Sequence, residues 1–152
     1  MFARMPLVCL VALGLTALSF GRGPADPIIG DYTGTLNYSE TLTIAGQKKP
    51  ATDHQQQWDM WFDANAMDVQ GFGGTWKRNG SKYQANASAT FQDVIRIQLA
   101  DPKAKGSLKL KGITIHGDQS LTGKVKEKFK ALESGVVVKT KRKGTFLDTI
   151  IH

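Results

Sequence analysis

Apolar and polar residues take turns through most of this chain, the period at which successive side chains leave opposite faces of a β-strand. The 3.6-residue apolar period of an amphipathic helix is almost absent. The alternation predicts strands over Ile28–Tyr38, Glu40–Ala45, Gln55–Asp63, Met67–Arg78, Ser81–Phe91, Asp93–Leu99, Ser107–His116, Ser120–Leu132 and Val136–Asp148. Asn79-Gly80, Gly117-Asp118 and Ser134-Gly135 supply turn residues between them. Consecutive strands joined by tight turns are antiparallel neighbours, so the expected fold class is all-β, an up-and-down meander of about eight or nine strands. Closure into a small barrel would remove the exposed edges, with a β-sandwich as the alternative.

Register follows from the turns. Asn-Gly is the strongest two-residue hairpin signal, and a tip at Asn79-Gly80 pairs Arg78 with Ser81 and Trp76 with Tyr83. One face of that hairpin then reads Phe72, Trp76, Tyr83, Ala85, Ala87, Ala89, Phe91, with large residues meeting small ones as a packed core requires. Trp58, Met60 and Phe62 form a second apolar face. Within Ser107–His116 the apolar phase flips at Gly112, from Leu108 and Leu110 to Ile113 and Ile115, which predicts a glycine bulge. The polar stretches Gly46–His54 and Ala100–Gly106 read as loops.

Charge changes this picture. Residues 22–101 hold seven Lys/Arg against nine Asp/Glu, while residues 102–143 hold twelve against three. Lys124, Lys126, Lys128 and Lys130 alternate along one strand. A Ser134-Gly135 tip sets Lys130, Lys128 and Lys126 opposite Lys139, Lys141 and Lys143. A Gly117-Asp118 tip sets Lys111 and Lys109 opposite Lys124 and Lys126. Nine lysines thus share one face of three strands, ~5 Å apart across strands and ~7 Å apart along them. Glu127 and Arg142 fall together on the other face. Two readings of the lysines stand side by side. They form a solvated outer surface that deters edge-to-edge pairing, or they meet an anionic partner such as lipid headgroups, lipopolysaccharide or polysaccharide. Nucleic acid ranks last among such partners, because no aromatics interleave the lysines for base stacking. Lysines at mid-membrane would cost ~2–4 kcal/mol each, which argues against an outer-membrane barrel.

The amino terminus bears on location. Arg4, the apolar run Leu7–Phe20 and the small residues Ser19 and Gly21 follow the order of a secretory signal over residues 1–21, and the run is too short to span a membrane. A short linker, 22–27, then leads into one domain, 28–152. The only cysteine, Cys9, lies inside the signal, so no disulfide is expected. Periplasmic or secreted bacterial location fits an exported domain held by its core alone.

Candidate chemistry is sparse. His54, His116 and His152 have no metal-ligand spacing, Asp63-x-Asn65 begins a calcium loop that Met67 and Asp68 break, and no nucleophile elbow occurs. Gly71-Phe72-Gly73-Gly74 lies within an expected strand and precedes no helix, unlike a phosphate loop. Neither a catalytic site, a metal nor a cofactor is expected; an enzyme assembled from His54, Asp59 and His116 is the bare alternative. Asn37, Asn79 and Asn86 each head an Asn-x-Ser triplet, a glycan acceptor only in a eukaryotic secretory setting. Trp58, Met60, Phe62, Phe72, Trp76 and Tyr83 would line the interior of a barrel, where small residues leave room for one ligand or simply for these rings.

Gly30-Asp31-Tyr32 at the first strand, Arg142-Lys143 in a late strand and a polar loop at one end make the chain resemble the calycin superfamily, the lipocalin-like small barrels. That family carries Gly-x-Trp where Tyr32 stands here, and a carboxy-terminal helix that this chain lacks. The resemblance implies carriage of a small apolar or amphipathic molecule inside the barrel, without catalysis. Binding of an anionic envelope component through the lysine face is the alternative function.

Overall fold

The computed structural model describes residues 26–151. The signal expected over 1–21 lies outside the described residues. The alternating pattern becomes nine strands: β1 (Gly30–Ile44), β2 (Gln47–Lys48), β3 (Thr52–Phe62), β4 (Ala66–Val69), β5 (Phe72–Asn79), β6 (Lys82–Asn86), β7 (Lys105–Ile115), β8 (Ser120–Glu133) and β9 (Val136–Ile150). One helix, α1 (Ser88–Gln98), separates β6 from β7. All neighbours are antiparallel in the order β2-β1-β3-β4-β5-β6-β7-β8-β9, and β9 returns to pair with β1 from Tyr32↔Ile150 to Ile44↔Val138. The meander is therefore a closed, barrel-like ring of hydrogen bonds. β2 only continues the β3 side of β1 (Thr43↔Lys48).

The wall is uneven. β1 and β9 span fifteen residues each and β4 only four. We call upper the end holding Ile44, Thr52, Lys105 and the β8–β9 turn. At the lower end Ile28 is fully buried and its carbonyl accepts the Tyr32 hydroxyl at 2.9 Å. Asp26 ties this plug down by accepting the Tyr83 hydroxyl at 2.5 Å and pairing with Arg78 at 3.2 Å. Burial alone would raise the Asp26 carboxyl, but Tyr83, the Ile28 amide and Arg78 outweigh it and hold it low; burial, then Asp26, push Tyr83 up to about 12. Inside lie Tyr32, Leu36, Trp58, Met60, Phe62, Met67, Val69, Tyr83, Leu108, Leu110, Ile113, Leu121, Val125 and Phe146, one continuous apolar cluster. A Cβ on Gly34 would sit 2.0 Å from the Leu147 carbonyl oxygen, so β1 presses on β9 there as only glycine permits.

Several elements depart from expectation. Ile28–Tyr38 and Glu40–Ala45 form one strand, and Met67–Arg78 breaks in two at Gln70-Gly71, both at positive φ (54° and 90°). The tip expected at Asn79-Gly80 lies one residue later, at Gly80-Ser81, so Trp76 faces Ala85 rather than Tyr83. Gly80 has φ 66° and Asn79 stays extended in β5. A turn needing positive φ only at its first position spares Asn79 the left-handed conformation that the other register would impose. Moving the tip by one residue shifts the register by two, so no side chain changes face.

The main correction concerns Ser81–Phe91 and Asp93–Leu99. β6 ends at Asn86, and α1 occupies 88–98. Phe91, Val94, Ile95 and Leu99 fall at helical spacing; Phe91 and Ile95 are buried, whereas Ala89 is exposed instead of joining the core face. The turn into the helix is fixed by the Asn86 side-chain oxygen, which accepts the Ser88 amide at 2.9 Å, and by the Ser88 hydroxyl, which accepts the Leu108 amide at 3.1 Å. The Phe91 ring meets Phe72 and Phe129 edge-on across the upper end. Past the helix, the Asp101 carboxylate accepts the Leu132 amide at 2.9 Å and anchors the loop to β8. The loop expected over Gly46–His54 is shorter, because β2 and the start of β3 occupy most of it.

Candidate anion-binding face

On β7, β8 and β9 the inward positions are taken by Leu108, Leu110, Val125, Ala131, Val138 and Phe146, which are buried. Strict alternation therefore throws the intervening lysines outward, and all nine named from the sequence are exposed: Lys109 and Lys111 on β7, Lys124, Lys126, Lys128 and Lys130 on β8, Lys139, Lys141 and Lys143 on β9. Their pairing is as the turns demand. Across β8 and β9 the partners are Lys126↔Lys143, Lys128↔Lys141 and Lys130↔Lys139; Ser134 (φ 52°) and Gly135 (φ 79°) make the tip. Across β7 and β8 they are Lys109↔Lys126 and Lys111↔Lys124. That second register survives because two departures cancel. The Gly117-Asp118 turn gains Gln119 as a third residue, and the expected bulge at Gly112 (φ 61°), between Lys111 and Thr114, absorbs the extra one.

A tenth lysine joins them. Lys105, within the loop expected over Ala100–Gly106, lies in β7 opposite Lys130. Its signal was available: Lys105, Ser107, Lys109 and Lys111 share one parity. No outward position on these three strands carries a carboxylate; the remaining polar ones with exposed surface are Ser107, Thr114, Thr122, Thr145 and Thr149. Between the lysine stems runs an apolar groove of about 230 Å³, flanked by Lys105, Lys128, Lys130, Lys139 and Lys141, with Ser107 beside them. A second, of about 420 Å³, lies between Lys109 and Lys111 on β7 and Lys77 on β5. Six directly opposed lysine pairs cost the fold a few tenths of a kcal/mol each.

The interior is a different environment. Trp58, Met60, Phe62 and Tyr83 are buried, and Phe72 and Trp76 pack against them. Above them, at the upper end, Arg142 donates to Glu40 at 2.6 Å and to Glu127 at 2.5 Å, which makes the expected Glu127–Arg142 contact a three-membered cluster. Its guanidinium stands 5.9 Å from the ring centres of Tyr38 and Phe129. Burial alone would lower Arg142; the two carboxylates outweigh it and raise it. The cavity beneath, between Tyr38, Trp58, Val125, Glu127 and Arg142, measures about 40 Å³. That is room for one or a few waters, against the ~300 Å³ at which ligand pockets begin. Two groups inside have no hydrogen-bond partner, the Trp58 indole N–H and the Asp148 carboxylate. Sequence reading missed Asp148, although alternation from Arg142 through Phe146 already puts position 148 on the inward face of β9.

His54, Asp59 and His116 are not brought together. His54 stacks on Tyr38 at the upper end, Asp59 accepts the hydroxyl of its cross-strand partner Thr33 on the outer face of β1 and β3, and His116 bonds Thr122 at the lower end. No described helix is long and apolar enough to cross a membrane. Comparisons with protein-family models, curated proteins and solved structures found no match to this chain.

Proposed function

We propose that the protein is a non-catalytic binding module that docks on an anionic component of the cell envelope through the outer face of β7, β8 and β9. One observation carries this reading: ten exposed lysines in register, six opposed pairs among them, with no carboxylate between. A surface serving only solubility intersperses both signs, and repulsion between opposed lysines is relieved when anions lie over them. The shared chemistry is an array of phosphate, sulfate or carboxylate groups. An exported location, read from residues 1–21, would bring the face to such material. Carriage of an apolar cargo inside the ring is the second reading. It would require the rings of Phe72, Trp76 and Tyr83 to move apart, since they occupy the space themselves.

Retention on immobilised dextran sulfate tests the proposal. The native chain should bind and elute with salt, and Lys126→Glu with Lys128→Glu should weaken binding by about tenfold or more at low salt. Equal retention of the two proteins would sink the reading.

A further inference from the structure

Six large apolar residues are strongly exposed among the described residues, and three of them crowd one hairpin tip: Leu132 (49%), Val136 (37%) and Val137 (38%). They flank the Ser134-Gly135 turn, and Leu132 pairs with Val137 on the outward side of β8 and β9. Glu133 pairs with Val136 on the other side. The next outward pair down the hairpin is Lys130–Lys139, with Lys105 beside it, followed by Lys128–Lys141 and Lys126–Lys143. The outer surface thus passes from apolar to basic within one ladder step. A step of two residues is ~7 Å, close to the ~5–10 Å depth at which interfacial elements sit in a bilayer.

A soluble polyanion would use the lysines but has nothing to offer Leu132 and Val137. A membrane offers both. We propose that the anionic partner is a lipid bilayer surface: the β8–β9 tip inserts Leu132, Val136 and Val137 among the acyl chains near the headgroups, while Lys130, Lys139 and Lys105 meet the phosphates. Ile97 of α1 is also exposed at this upper end, where the Asp101 carboxylate ties the segment after the helix to the Leu132 amide. This inference rests on the lysine face being an anion-binding face.

Two ligands and one variant test it. Vesicles containing phosphatidylglycerol present charge and an apolar interior; dextran sulfate presents charge alone. The variant Leu132→Ser with Val137→Thr leaves the charge untouched and alters only exposed positions. It should partition about tenfold or more weakly onto the vesicles and bind dextran sulfate like the native chain. Unchanged vesicle binding by the variant overturns tip insertion. So does a native chain that binds dextran sulfate and ignores the vesicles, which would make the partner a soluble polyanion or polysaccharide. Binding to neither ligand removes the lysine-face reading itself.

Discussion

Asp148 has no exposed surface and its carboxyl has no hydrogen-bond partner, and it lies against Gly34 of β1, which offers it no side chain. Burial first, then the negative charge of Asp59, push its carboxyl up to about 8. The folded state therefore keeps a proton that the unfolded chain gives up near its ordinary value of 3.8. Stability from this source is complete below about pH 4, declines as pH rises and levels off above about pH 8, a loss on the order of 5 kcal/mol. Asp148→Asn cannot ionise, so its stability in urea should be flatter between these limits and should match or exceed the native chain at pH 8. A native chain equally stable at pH 5 and pH 8 would contradict this. Asp101 works in the opposite direction: the Leu132 amide, then the Lys103 amide, hold its carboxyl low, so its contribution fades as the medium turns acid.

Helix α1 decides how the upper end is closed, and Phe91 is its main contact with the ring. The Phe91 side chain lies between Phe72 and Phe129, and a Cβ on Gly106 would come within 3.0 Å of it. Phe91→Ala should cost about 3–5 kcal/mol in urea unfolding while leaving retention on dextran sulfate intact, since Phe91 is buried whereas the lysines of the face are exposed. A loss under about 1 kcal/mol would mean that the helix is not part of the core. Nothing hid this helix except its neighbours. Tyr83, Ala85 and Ala87 alternate correctly, and the alternation runs by coincidence into Ala89 and Phe91, so a period of two absorbed residues whose spacing over 91, 94, 95 and 99 is helical. Where a turn chemistry had one solution, as at Ser134-Gly135, the register was legible to the residue. Where Asn-Gly and Gly-Ser competed for the tip, it was not, and the parity of the faces survived only because the shift was even. The lysine face was legible because alternation and turns sufficed to place it. Of the interior polar groups, Glu127 and Arg142 were legible from the Ser134-Gly135 turn, whereas Glu40, which joins them from β1, was not, since it comes from a strand far away in the chain.

At the scale of the molecule, positive charge is gathered on one wall of the ring, where opposed lysines repel one another across the ladders. Screening should therefore stabilise the free protein. Raising salt from about 0.01 M to about 0.15 M shortens the reach of charge from about 30 Å to about 8 Å and should raise Tm. Lys126→Glu with Lys128→Glu should respond less, because it places opposite charges within the same ladder; an identical response in both would show that the lysines do not strain the fold. The closure of β9 onto β1 has a consequence of another kind. These are the first and last strands of the ring in chain order, so the longest-range pairing in the fold forms only once β9 has been made. A polypeptide halted before Val136 would keep two unzipped rims, one on β1 and one on β8, each free to recruit a stranger; adding the fifteen residues of β9 seals both at once.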